Sequence, residues 1–387
     1  MAGAASRSAR FLGRLTSLSV LVLLPAVSAR AQADPEPRAY LEAGTDVPLK
    51  GNAPIDGYAF FLWNRPHFPA EDQYLRVVVA PTYLLSEFVQ DHWPYGRHAV
   101  SIGLNGGGIR YGHWEYRDGN YKGAESFWGS GAELPLSYYA STKLFGQLPL
   151  QGQIRVTPAY LVYQPSLDTA NRFELPSDTG LFTGRVGLRL GGVPPELLPK
   201  LALEVSAWYE ASYRTNPDPF GFPERRESLE SLTQRAWGRL AAVFVPLEGH
   251  TAELTVTAGL SKDADLLSSF RLGSALPFRS ELPLILHGYF VEEVFAKRFW
   301  LVNASYRFPA WPGSRAVSLR ASGDLAGVNY IPGHHLPRNR LGGAGLDLSI
   351  AFTPRITAVV GYGYGVDAPR NGGFGGHMAH ALIEVKF

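Results

Sequence analysis

The chain has 387 residues, of which 45% are hydrophobic, 12% aromatic and 18% charged, a composition too apolar for a disordered protein. Its 36 basic and 34 acidic residues nearly balance, and no basic cluster stands out, which argues against a nucleic-acid-binding protein. Cysteine is absent, so disulfide frameworks, thiolate catalysis and cysteine-built metal sites are excluded.

Residues 1–33 have the pattern of a secretory signal peptide. Three arginines precede the apolar run 15–27, and Ala31 and Ala33 supply the small residues of a cleavage site. The run is shorter than the roughly 20 residues that a spanning helix needs. We therefore predict a signal peptide cleaved after Ala33 rather than an uncleaved anchor.

Residues 34–55 are rich in proline and glycine and show little periodicity, which predicts a short periplasmic lead-in. From residue 56 to residue 387, apolar residues alternate with polar ones at a period of two, and the polar phase carries charges. In the segment 200–214, for example, Val205 and Tyr209 alternate with Glu204 and Glu210. This is the pattern of β-strands with one apolar face.

Three features favour a membrane barrel over a soluble sandwich. The alternating segments are long enough to cross a bilayer, which takes about 9–11 tilted residues. Tyrosine and tryptophan recur near their ends, as in interfacial girdles. The sequence also ends on an alternating segment with an aromatic residue, Phe387, which we expect to close the barrel. The sequence therefore predicts an all-β, transmembrane antiparallel β-barrel over 56–387 in a bacterial outer membrane.

The alternating segments, which include 73–88 as a single strand, number about fourteen, with twelve or sixteen possible. Single-chain bacterial barrels have even strand numbers. Long connections such as 113–127, 215–230, 263–296 and 367–376 fall on one side of this topology and short ones on the other. Long loops are extracellular and short turns periplasmic in such barrels. The polar phase is predicted to line the lumen with charges, among them Arg185, Arg189, Glu204, Glu210, Arg239, Glu253, Arg307 and Asp347.

The loop 263–296 is the longest and is unusually apolar for an exposed connection. Residues such as Leu284 and Ile285 need cover from water, and folding the loop into the barrel mouth would provide it. The glycines of the GYGYG segment at 361–365 are predicted to leave space for close approach by this loop.

The motifs FRLGS, LHGY, SGDLAG and GYGYGVD, together with the final strand, resemble the carboxy-terminal barrel of the bacterial surface-antigen superfamily, which includes the BamA/TamA-type assembly factors. The resemblance covers about residues 250–387. It implies a loop tip at Gly288 and Tyr289 that packs inside the barrel against an acidic residue, here Asp324, on the wall that also bears Arg320. His287 stands where that family has arginine.

No G-x-S-x-G, H-E-x-x-H or P-loop motif is present, so we expect no catalytic activity, no metal and no cofactor. The expected partners are outer-membrane lipid and lipopolysaccharide, the outer-membrane assembly machinery during insertion, and a periplasmic accessory protein.

The sequence leaves three functions open. In the first, the loop 263–296 is a plug or gate in a translocation barrel, held by a lock of His287, Gly288, Tyr289, Arg320 and Asp324. In the second, the protein is a passive porin for small solutes, with the loop as a constriction. In the third, it is a structural or adhesive surface protein that acts through the outer loops 113–127 and 215–230.

Overall fold

The computed structural model describes residues 36–93, 96–108, 112–144, 148–191, 203–276 and 282–387. The predicted signal peptide, residues 1–33, lies outside the described residues. The described residues form β-strands and one 3-10 turn at Gly123–Glu125. None of their helical segments has the length and apolar character needed to span a membrane.

The strands are, in chain order, β1 (Arg38–Pro48), β2 (Asp56–Pro66), β3 (Gln73–Val79), β4 (Tyr83–Asp91), β5 (His98–Ile102), β6 (Asn105–Gly107), β7 (Tyr116–Arg117), β8 (Asn120–Tyr121), β9 (Phe127–Glu133), β10 (Leu136–Leu144), β11 (Leu148–Pro165), β12 (Thr179–Gly191), β13 (Leu203–Arg214), β14 (Phe220–Phe222), β15 (Arg225–Glu227), β16 (Leu232–Phe244), β17 (Thr251–Lys262), β18 (Phe270–Leu272), β19 (Val294–Pro309), β20 (Val317–Tyr330), β21 (Arg340–Thr353), β22 (Ile356–Arg370) and β23 (Gly373–Lys386).

Within the described residues, the chain forms a closed antiparallel barrel of 16 strands. Strands β5 and β6 together make one interrupted wall strand, and so do β9 and β10. Strand β18 pairs with the loop-end part of β19. Two small ribbons, β7–β8 and β14–β15, lie outside the wall. The barrel closes between β1 and β23, from the pair Tyr40–Lys386 to the pair Pro48–Met378. The predicted fold class is thus confirmed.

Strand β1 corrects the prediction that residues 34–55 are a periplasmic lead-in. Its backbone pairs with β2 on one side and with β23 on the other. Half of these hydrogen bonds come from the far end of the chain, so the weak local periodicity does not reveal them. Phe387 extends the closure, because its backbone N–H donates to the carbonyl oxygen of Ala39 at 2.9 Å.

A second correction concerns the segment 73–88, which the alternation predicts as one strand. It is a hairpin of β3 and β4, closed by a hydrogen bond from the Ala80 N–H to the Tyr83 carbonyl oxygen at 2.8 Å. Pro81 lies between them and cannot donate to a sheet ladder, which favours a turn at this point. The two additional strands account for the rise from fourteen to sixteen.

The alternation of the sequence becomes an outer and an inner face. On β13, Val205 and Tyr209 are 43% and 44% exposed, whereas Glu204 and Glu210 are 8% and 3% exposed. The exposed phase of the long strands is apolar, as a wall in lipid requires. The buried phase lines the interior.

The two ends of the barrel differ. The described residues of the long connections 108–126, 166–178, 215–231, 263–293 and 331–339 all lie at one end, which we call the loop end. The opposite end is the turn end. Two clusters of buried apolar side chains occupy the interior at the loop end. They contain Leu286, Tyr289 and Phe290 of the long loop, so much of the core is built from loop residues.

Candidate functional site: the seat of the long loop

The long loop spans residues 263–293, and its described residues, 263–276 and 282–293, are held against the inner wall at Asp324 on β20. Asp324 is 7% exposed and its neighbour Leu325 is 51% exposed, so the carboxylate points inward. The backbone N–H of His287 donates to Asp324 Oδ2 at 2.7 Å, and His287 Nδ1 lies 2.6 Å from the same oxygen. Because a carboxylate only accepts hydrogen bonds, Nδ1 carries the proton.

The second oxygen of Asp324 is satisfied by Asn303, which lies opposite it on β19. Asn303 Nδ2 donates to Asp324 Oδ1 at 2.7 Å and to the carbonyl oxygen of Ile285 at 3.0 Å. Sequence reasoning missed Asn303, although its position in the polar phase of β19 was visible. One amide thus makes a hydrogen bond to the neighbouring wall strand and another to the loop.

The loop tip, His287–Tyr289, rests on a glycine cradle that consists of Gly343 and Gly345 of β21, Gly363 and Gly365 of β22, and Gly376 of β23. A Cβ atom on Gly363 would lie 2.7 Å from the backbone nitrogen of Gly288, closer than real Cβ atoms approach. A Cβ on Gly376 would fall on the carbonyl oxygen of Gly288. Gly288 itself has φ +79°, a conformation that favours glycine.

The cradle explains two of the three GYGYG glycines. Gly363 and Gly365 admit the loop tip, as expected from the sequence, but Gly361 makes room for a different contact. A Cβ on Gly361 would meet the side chains of His380 and Asp347.

A second anchor joins the base of the loop to the top of β22. Arg370 donates from its two terminal nitrogens to the two carboxylate oxygens of Glu293, each at 2.7 Å, and both side chains are fully buried. The guanidinium carbon lies 3.6 Å from the ring centroid of Phe290. Planar, bidentate pairing of this kind gives orientation as well as energy. Sequence analysis placed 367–376 in an outer loop and so missed Arg370.

A third contact reaches the closing strand. The hydroxyl of Ser274 donates to Asp46 Oδ2 on β1, and both side chains are buried. The long loop therefore touches the wall on β1 and on β19 to β23.

Arg320, predicted on the wall near the tip, does not contact the loop tip. Its Nε donates to Asp347 Oδ2 at 2.7 Å, and His380 Nε2 lies 2.8 Å from Asp347 Oδ1. This group lies nearer the turn end than Asp324, because Arg320 precedes it by four residues on a strand that runs toward the loop end. Of the predicted lock, the structure brings together His287, Gly288, Tyr289 and Asp324 on one wall.

The predicted lumen charges lie on the inner face and are largely paired. Arg185 Nε donates to Glu210 Oε2 at 2.9 Å, and Arg235 donates to the other oxygen of Glu210. Arg307 lies 3.8 Å from Glu253. Arg189 and Arg239 flank Ser206, whose hydroxyl donates to Glu204 at 3.1 Å.

The loops of the loop end add a buried ionic cluster that sequence analysis did not find. Glu115 accepts from His113 Nε2 at 2.7 Å and from His334 Nε2 at 2.9 Å, and Arg117 lies 2.9 Å away. Arg271 donates to His113 Nδ1 at 2.8 Å, which requires a neutral His113. Burial, reinforced by Arg271, lowers the pKa of His113 to about 4.

Unlike His113, His334 has a hydrogen-bond acceptor at each ring nitrogen. Its Nδ1 lies 3.1 Å from the carbonyl oxygen of Pro332, and its Nε2 faces Glu115. Although burial opposes it, the bond to Glu115 raises the pKa of His334 and favours the imidazolium. Across the described residues, no three His, Asp or Glu side chains are grouped so that they could hold a metal ion.

Comparison with solved structures finds barrels of the same architecture. CdiB from Acinetobacter baumannii aligns with a TM-score of 0.59 and 11% identity over 91% of this chain and 60% of that chain. BamA from Haemophilus ducreyi lacking POTRA domains 1–3 aligns with a TM-score of 0.59 and 8% identity over 91% of this chain and 71% of that chain. CdiB from Escherichia coli aligns with a TM-score of 0.53 and 12% identity over 91% of this chain and 63% of that chain. This chain therefore spans about three fifths of the CdiB chains.

No protein-family model matches the sequence, and no curated protein matches it either. The closed barrel with its apolar outer face defines a β-barrel of the bacterial outer membrane. More narrowly, the barrel has the BamA/TamA type of fold, with the long loop on the inner wall of its last strands.

Proposed function

We propose that the long loop is a plug that closes the loop end of a translocation barrel, and that release of its tip from Asp324 opens a path for a solute or a polypeptide. The observation that carries this proposal is the glycine cradle. Five wall positions lack side chains where the tip lies, so the wall is shaped to receive this loop.

The energetics favour a closed resting state. His287, Tyr289 and Asp324 are each less than 10% exposed, and the pair Arg370–Glu293 is completely buried. Removing one partner of a buried ion pair typically costs about 3–5 kcal/mol, because the other charge stays unpaired. Several such contacts hold the loop, so spontaneous release is rare.

The wall also suggests how opening could occur without loss of the barrel. The tip is held by polar contacts to side chains rather than by strand pairing, so the ladder between β19 and β23 survives its departure. Below the seat the inner wall is polar and charged, and it suits passage of a hydrated substrate. A periplasmic accessory protein at the turn end would deliver that substrate.

The test is single-channel conductance of the refolded chain, residues 34–387, with Asp324→Ala. The variant removes the carboxylate oxygen that accepts both hydrogen bonds from His287, so frequent large openings are expected where the wild type is nearly silent. Glu224→Ala is the control, because Glu224 forms an exposed pair with Arg172 at the same end of the barrel. Unchanged conductance in a correctly folded Asp324→Ala variant would contradict the plug.

A further inference from the structure

The outer wall carries a basic group at the level where its aromatic belt ends. Trp300 on β19 is 40% exposed and lies against Gly327 of β20, which is the register partner of Arg340 on β21. Arg298 is exposed two residues beyond Trp300, toward the loop end, and lies opposite Asn329. Tryptophan marks the membrane interface in such barrels, so both arginines lie at headgroup level.

Arg340 lines a groove, and Arg298 lies opposite Asn329, the residue before the groove residue Tyr330. An open cavity of about 590 Å³ lies between the loop 331–339 and the top of β22, and its walls include Tyr330, His335, Arg338, Arg340 and Asp367. The exposed ring of His335 packs edge-to-face on Tyr330, with centroids 5.8 Å apart. The groove therefore combines cationic groups with an aromatic wall.

The charges of the groove do not cancel. Asp367 is engaged by Arg338 and by the backbone N–H of Gly342, the latter at 3.1 Å. The Arg338 guanidinium lies 4.3 Å from the ring centroid of Phe374, which fixes its position. Within the part of the chain that the structure describes, Arg298 and Arg340 form no ion pair. Arg340 in the groove and Arg298 beside it thus present two uncompensated guanidinium groups.

We propose that this groove binds the phosphorylated sugar headgroup of lipopolysaccharide, with Arg298 and Arg340 on its phosphates. Guanidinium groups pair with phosphate through two parallel hydrogen bonds, and they are less strongly hydrated than ammonium groups. The loop end faces the cell exterior, where the outer leaflet consists of this glycolipid. Arg298 and Arg340 are in phase with the outward-facing Trp300, so both lie on the face of the wall that meets that leaflet.

The test uses the full mature chain in detergent micelles and measures binding of fluorescent bisphosphorylated lipid A. Arg298→Gln with Arg340→Gln is expected to weaken binding about tenfold or more, since each charged hydrogen bond contributes substantially. The matched control is Arg315→Gln with Arg355→Gln, two exposed arginines of the turn end. It carries the same charge change and is expected to bind as the wild type does.

Monophosphorylated lipid A and phosphatidylglycerol separate the possible ligands. The wild type is expected to bind bisphosphorylated lipid A more tightly than either, and the Arg298→Gln, Arg340→Gln variant to lose that preference. Equal affinity of the wild type for phosphatidylglycerol would overturn the proposal, as would an equal loss in the turn-end control. Conductance does not enter this test, so its result is independent of the plug.

Discussion

One oxygen of Asp324 accepts two hydrogen bonds from His287, one from the backbone N–H at 2.7 Å and one from the ring nitrogen Nδ1 at 2.6 Å. The backbone bond does not depend on the identity of the side chain. A histidine can therefore serve where a bidentate arginine would otherwise pair with the carboxylate, provided that Asn303 takes the second oxygen, as it does here.

The seat of the tip predicts that Gly288→Ala expels the loop. A Cβ on Gly288 would collide with the backbone of Gly365, and the φ of +79° adds strain. We expect frequent large openings in planar bilayers. Trypsin should also cleave the loop at Arg271 much faster than in the wild type.

Gly333→Ala separates strain from collision. Gly333 has φ +83°, but a Cβ atom on it would meet nothing within 4 Å, so the substitution costs about 1 kcal/mol and leaves the cradle intact. If Gly333→Ala opened the channel as often as Gly288→Ala did, the effect would come from general strain and not from the seat.

The buried pair Arg370–Glu293 predicts strong coupling. Glu293→Gln or Arg370→Met alone should destabilise the loop by about 3–5 kcal/mol, because each leaves a buried charge without its partner. The double variant should be less destabilised than the sum of the two. Hydrogen exchange of the amides at 284–293 measures this coupling.

The exposed pair Arg315–Glu248 is the reference for that cycle, since its side chains are 88% and 86% exposed. Exposed pairs contribute about 0–1 kcal/mol. A coupling energy for Arg370 and Glu293 no larger than this reference would show that the second anchor does not hold the loop.

The sequence predicted much of this seat because its chemistry is local. Alternation placed Asp324 on the inner face, and the apolar character of the loop predicted that it folds into the barrel. The resemblance then predicted contact between the loop tip and Asp324. Arg320 was assigned to the same wall but pairs with Asp347, because alternation gives the face of a residue and not its height along the barrel.

Two other features were missed for different reasons: one has its partner far away in the sequence, and the other had a local turn signal that was not used. Strand β1 pairs with β23, more than three hundred residues away, and its own alternation is weak. Arg370 was assigned to an outer loop, whereas β22 continues to Arg370 and a tight turn at Asn371 and Gly372, both with positive φ, leads into β23. Glycine and asparagine suit such a turn, so this signal was available locally.

The cluster around Glu115 predicts acid sensitivity of the loops at the loop end. The pKa of His113 is lowered to about 4, whereas an unfolded histidine has a pKa near 6.5. Between these pH values His113 is protonated when the loops are open and neutral when they are packed. The free energy of opening the loops therefore falls as the pH drops from about 6.5 to 4, by up to about 3 kcal/mol. Hydrogen exchange at 113–127 should accelerate over this range.

His113→Gln provides the control, because an amide can donate to Glu115 and accept from Arg271 but does not titrate in this range. His334 does not contribute to this acid response. Because its pKa is raised in the packed loops, its stabilising effect is fully present at every pH below about 6.5. An unchanged acid response in His113→Gln would assign the sensitivity to another group.

The plug is tested most directly by single-channel conductance of the wild-type mature chain in a planar bilayer. A plugged barrel predicts near silence, interrupted by rare, brief and large openings, because the loop tip is held in its cradle by buried contacts. A large and steady conductance would contradict the plug and would identify the protein as an open porin.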